Sequence, residues 1–160
     1  MNFLRFVMVL SLALWIGGLV FIPIVAEISF SMLPSPHLAG LVVRNSLIAL
    51  HWIGLVGGCV FMILSLIESR LARGRYSALR PSHIIVAIML TLTAISQFSI
   101  IPHMDALQIS AGDIASLPPD NLIRQQFDFL HLSSTRVEEA VLLLGLILLY
   151  LTSRRLSRRA

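Results

Sequence analysis

The sequence predicts an all-α integral membrane protein, a four-helix bundle with both N and C termini in the cytoplasm. Three observations carry this. The 160 residues are 57% hydrophobic and only 12% charged, with a mean hydropathy of +0.89, and so few charges could not cover a soluble core of that size. Four apolar runs reach the length of about 20 residues that a membrane helix needs. The arginines gather on alternate connections, which the positive-inside rule assigns to the cytoplasmic side. The length suits a single transmembrane domain over residues 1–160.

The first span covers residues 4–30. Its apolar stretch exceeds a signal-peptide core and no clear small-residue cleavage site follows, so it reads as a mature helix. Pro23 is expected to kink it, as membrane helices tolerate. "SMLPSPH" is a turn set by Pro34 and Pro36. The second span covers 41–67. "ESRLARGRYSALRPS" connects it to the third, which Pro81 opens and which covers 82–101, with Pro102 at its end. Residues 103–124 form a longer polar connection with Pro118 and Pro119. The fourth span covers 127–152, ahead of the basic tail "SRRLSRRA".

Arg70, Arg73, Arg75 and Arg80 fill the second connection; Arg154, Arg155, Arg158 and Arg159 fill the tail; Arg5 precedes the first span. The last outer loop instead carries Asp105, Asp113 and Asp120. The plain meaning of the basic runs is orientation and contact with anionic lipid. The net charge of +4 forms no basic stripe of the kind that reads nucleic acid. Cys59 is the sole cysteine, so no intrachain disulfide exists. Arginine without lysine, and compact loops, point to a bacterial cytoplasmic (inner) membrane.

Depth along the helices sorts the polar residues. With about 1.5 Å of rise per residue and about 30 Å of hydrocarbon, counting back from Thr152 puts Asp128 and His131 at the outer boundary. Arg136, Glu138 and Glu139 fall inside it. The same count places Glu27, Arg44 and His103 near the outer boundary and His51 deeper. Two tiers result: an intramembrane cluster of His51, Arg136, Glu138 and Glu139, and a boundary cluster of Glu27, Arg44, His103, Asp128 and His131. At about 100° per residue, Asp128, His131, Thr135, Glu138 and Glu139 share one arc of the fourth helix. Arg44, His51 and Gly58 share one face of the second. Trp15, Gly17, Gly18, Gly54 and Gly58 are packing candidates, and the Gly54–Gly58 spacing lets another backbone approach.

Each cluster has a functional and a structural reading. A charge at mid-membrane costs about 2.5–3.5 kcal/mol even on a lenient scale, so intramembrane ionisable groups imply function by default. Structurally, Arg136 with Glu139 and Glu27 with Arg44 would be ion pairs that fix packing. His51 would be a hydrogen-bonded core histidine against Trp15 or Trp52, and His103 and His131 would be solvated. His37 and His83 are assigned no role, Trp15 and Trp52 a packing role.

"LALWIGGLVF", "LAGLVVRNSL", "SIIPHMDAL" and "FDFLHLSS", in that order, resemble the DUF4149 family, whose members include proteins similar to the transmembrane protein 205 group. The matching positions are Trp15, Gly17, Gly18, Pro102, Phe127, His131 and Ser134. The resemblance implies a small four-helix membrane protein. Members often carry proline where this chain has Glu27, with Pro23 standing in here. A more distant likeness to copper-resistance and haem-linked four-helix membrane proteins is a fold-level analogy. It makes Glu27, Arg44, His103, Asp128 and His131 the residues to examine as ligands of haem or a transition metal.

Three functional classes follow. The first is a polytopic protein in the lipid bilayer whose inward cluster binds or conducts a small solute or ion, with protonation of Glu138 or His51 coupled to it. The second is a haem- or metal-binding redox protein. The third is an accessory subunit of a larger membrane complex. Four helices leave little room for a pore, so conduction implies a homo-oligomer. Hydrolase or transferase chemistry is not indicated: no nucleophile elbow or phosphate loop accompanies Ser133, Ser134 and His131.

Overall fold

The computed structural model describes residues 2–73, 80–112 and 114–157. Arg75, Asp113, Arg158 and Arg159, counted above among the loop charges, lie outside them. Helix α1 covers Asn2–Met32, α2 Pro36–Arg73, α3 Pro81–Ile95, α4 Ile101–Ala111 and α5 Leu122–Ser157. A π-helical turn, Ser96–Ile100, joins α3 to α4, so Pro81–Ala111 is one continuous helical rod. Among the described residues there is no strand.

Phe3–Met32, Pro36–Leu71 and Pro81–Ala111 are each long and apolar enough to cross a membrane. The fourth long helix, α5, carries five ionisable residues in its first half, between Asp128 and Glu139. Outward faces are apolar: Phe6, Leu14, Phe21, Val56, Ile63 and Leu143 are all more than half exposed. Such a surface fits lipid and would aggregate in water.

Local chemistry sets the helix ends. The Ser35 hydroxyl accepts from the Leu38 N–H at 3.2 Å, capping α2 with Pro36 at its first position. Asn121 Oδ1 does the same for α5, accepting from the Ile123 N–H at 2.9 Å. Gly112, at φ 71°, closes α4 in a conformation that favours glycine.

Two expectations about boundaries are corrected. Pro102 does not end the third helix, and α4 carries it ten residues further, to Ala111-containing backbone that includes His103 and Asp105. Proline sits in the first turn of α4, directly after a π turn in which the Ile101 N–H donates to the Ser96 carbonyl. The ladder has already shifted there, so the missing N–H breaks little. Likewise Pro36 opens α2 rather than forbidding it.

The core lies on the central axis. Leu12, Trp15 and Ile16 of α1 pack with Leu50 and Phe61 of α2, Val86 and Met89 of α3, and Val141 and Leu148 of α5. Gly54 and Gly58 have a different role from the one expected. A Cβ at either would run into the Trp15 indole, so the gap holds an aromatic ring. The backbone of α1 approaches at Gly57 instead, where the Ser11 carbonyl oxygen would lie 3.4 Å from a Cβ. Gly18 receives Leu50, whereas nothing lies within 4 Å of a Cβ at Gly17. Gly17 is therefore no packing contact. Trp52 is 51% exposed and meets the Phe98 ring edge-on at 6.0 Å, so it belongs to the outer surface.

Candidate functional site

The polar centre is built by three helices. His51 of α2 is 1% exposed. Its Nδ1 lies 2.9 Å from Oε1 of Gln97, in the π turn, and its Nε2 lies 2.8 Å from Oε1 of Glu138 on α5. Gln97 Oε1 can only accept, so Nδ1–H donates to it. One further proton must then sit between Nε2 and Glu138. The pair is imidazolium with carboxylate, or imidazole with carboxylic acid. The other oxygen of Glu138, Oε2, is buried and has no hydrogen-bond partner.

Glu138 also lines a cavity of about 620 Å³ between α1, α2, α4 and α5. Its walls differ in character. Leu19, Ile22, Pro23, Ala26 and Phe30 of α1 make an apolar wall, and Asp128, His131, Thr135, Glu138 and Glu139 of α5 make a polar one. The two helices meet lower down, where a Cβ on Gly145 would lie 2.9 Å from Ile16. Arg44 and Asp105 form a two-pronged ion pair at the cavity, through both the Nε and Nη2 of the guanidinium. Arg124 turns its Nη1 to the Leu117 carbonyl.

Several expected partnerships differ. Arg44 pairs with Asp105 rather than Glu27, because α4 continues far enough to bring Asp105 beside α2. Glu27 is exposed on α1 and belongs to none of the ion pairs among the described residues. Arg136 and Glu139 do pair, at 2.9 Å, yet are 72% and 54% exposed. Arg136 points outward, so the inner cluster is His51, Gln97 and Glu138, with Glu139 at the cavity edge.

The ligand set for haem or a metal does not come together. His103 donates from Nδ1 to the Ser99 carbonyl at 2.7 Å and lines a separate hollow with Leu122, Gln125 and Phe129. His131 lies in the main cavity, stacked on Phe127 at 6.5 Å. Both ring nitrogens of His51 are engaged in hydrogen bonds. Among the described residues no three His, Cys, Asp or Glu are grouped to hold a metal ion. His103 and His131 thus line different hollows and do not meet as a ligand pair.

A family model described as a domain of unknown function, DUF4149, matches residues 10–112. The chain belongs to the DUF4149 family. The match runs from Leu10, within α1, to Gly112 at the end of α4, so α5 of this DUF4149 protein, with Glu138, lies beyond it. No curated protein and no solved structure matches the chain.

A second polar group sits at the opposite end of this family member. Ser65 and His83, both buried, meet at 2.8 Å, and Arg5 pairs with Glu68 at 2.8 Å. His83 was given no role from sequence, and a histidine two residues after a helix-opening proline carries no signal that it will be buried. Gln97 was missed as well. Its one available sign was a neutral amide in an otherwise apolar span, level with His51.

Proposed function

We propose that this membrane protein binds a small cationic solute in the cavity of its outer half, with Glu138 as the binding carboxyl. The carrying observation is Glu138 Oε2: buried, without a partner, on a residue that lines the cavity. An unpaired buried carboxyl oxygen is costly and is relieved by a donor or a positive charge. A ligand N–H or cation supplies one.

Among the charges at the cavity, Arg44 is paired with Asp105 and Glu139 with Arg136, while Arg124, which donates to the Leu117 carbonyl, and Asp128 are opposite in sign. Gln97 fixes the His51 ring, and His51 fixes Glu138, so the carboxyl is held ready rather than recruited. A cation or donor at Oε2 pairs the oxygen that His51 leaves free, while Oε1 keeps its hydrogen bond to His51.

The topology behind this reading has four spans, with α5 as the fourth and both termini on the cytoplasmic side. It is supported by the arginines of the second connection and the tail, and by the aspartates at the cavity end. The cavity then opens away from the cytoplasm. A bacterial inner membrane suits such a layout.

The test is an ethylammonium titration of the protein in lipid nanodiscs, wild type against Glu138→Gln. The amide retains shape and a hydrogen bond to His51 while losing the charge. Affinity is expected to fall about tenfold or more, since hydrogen bonds to charged groups are worth about 1.5–3 kcal/mol, with thermal stability little changed. Equal affinity in the two proteins contradicts the assignment.

A further inference from the structure

Resting on that reading, we infer that the solute is a hydrophobic amine: a protonated nitrogen on an apolar body, the nitrogen at Glu138 and the body against α1. The cavity is asymmetric. Its α5 side presents carboxyls, and its α1 side presents Leu19, Ile22, Pro23, Ala26 and Phe30 with no polar side chain among them. A hydrated inorganic cation would leave that whole wall facing water. A neutral apolar molecule would leave Glu138 Oε2 unpaired. An anion would meet the unpaired Oε2 of Glu138, with Arg44 already held by Asp105. One molecule with a cationic point and an apolar flank satisfies both walls.

Size agrees. About 620 Å³ is far larger than a simple ammonium ion requires, and it falls within the ~300–1,000 Å³ range of sites that enclose small organic ligands. The apolar wall also extends over more than three helical turns, from Leu19 to Phe30, so it can follow a chain or a ring system along its length.

The experiment titrates ethylammonium, butylammonium, hexylammonium and hexanesulfonate into nanodiscs holding the full chain, with empty nanodiscs subtracted. Affinity is expected to rise about fourfold per added CH₂ until the cavity is filled, the ratio that corresponds to ~0.8 kcal/mol per buried methylene. Hexanesulfonate is expected not to bind. Ile22→Asn should flatten the chain-length dependence. Affinity independent of chain length in the wild-type protein overturns the hydrophobic-amine inference and leaves the small-cation reading standing. No saturable binding of any ammonium, or equal binding of hexanesulfonate, overturns both. The wild-type series decides the matter even where Ile22→Asn fails to fold.

Discussion

Glu138 of α5 and His51 of α2 meet at 2.8 Å across the bundle, 87 positions apart in the chain. That contact joins the fourth helix to the second through a buried proton-bearing pair. Because Gln97 closes the far side of the imidazole, α2, the π turn and α5 are tied by two consecutive hydrogen bonds. Replacing Glu138 by leucine removes one of these and strands His51 in the core. Glu138→Leu should destabilise the protein by about 1–3 kcal/mol, and Glu138→Gln by less than about 1 kcal/mol. Unfolding in mixed micelles, followed by circular dichroism, measures the difference.

A second prediction separates the two boundary residues that sequence paired. Arg44→Ala breaks a bidentate ion pair between α2 and α4. Both side chains are partly exposed, at 33% and 26%, so screening limits the loss to about 1 kcal/mol. Glu27→Ala should fall within about ±0.5 kcal/mol, as for an exposed residue without an ion pair. The same unfolding assay compares them. A larger loss for Glu27→Ala would restore the Glu27–Arg44 pairing.

The glycines make a third test. Gly54→Ala forces a methyl into the Trp15 indole, and overpacking of this kind costs about 1–3 kcal/mol. Gly17→Ala meets open space and should be neutral or stabilising by up to about 1 kcal/mol, the helix-propensity gain. Combining Gly54→Ala with Trp15→Leu should cost less than the sum of the two, because the shorter side chain vacates the contact.

Topology can be examined with single cysteines. Cys59 is the native one and is exposed, so a Cys59→Ser background is needed. Asp120→Cys should react with a membrane-impermeant maleimide added outside intact cells. Ser153→Cys should react only after permeabilisation. Labelling of both from outside contradicts a four-span arrangement with cytoplasmic termini.

Much of the helical architecture was legible because hydropathy depends on the bilayer alone. Apolar run length indicated the long helices α1, α2 and the Pro81–Ala111 rod, although each helix extends beyond its apolar core. Helical angle and depth put His51 and Glu138 at comparable levels. Asp105 was illegible as a partner of Arg44, since Pro102 reads as a helix end unless a π turn ahead of it is known. Gln97 faces α2 within a π turn, where the 100° step used for helical faces no longer holds. Gly54 and Gly58 advertised a close approach, yet spacing alone does not distinguish a neighbouring backbone from the Trp15 ring. Arg136 lay in the right layer, but only the packed helix shows that it points outward.

The most direct test of the account observes the Glu138 carboxyl itself. Infrared difference spectra of the protein in nanodiscs, recorded with and without hexylammonium, report any change in a single carboxyl group. A shift of one carboxyl band on ligand binding is expected in the wild type, and no such shift in Glu138→Gln. A wild-type spectrum in which saturating ligand changes no carboxyl band, or a change that survives in Glu138→Gln, would contradict the assignment of Glu138 as the binding group.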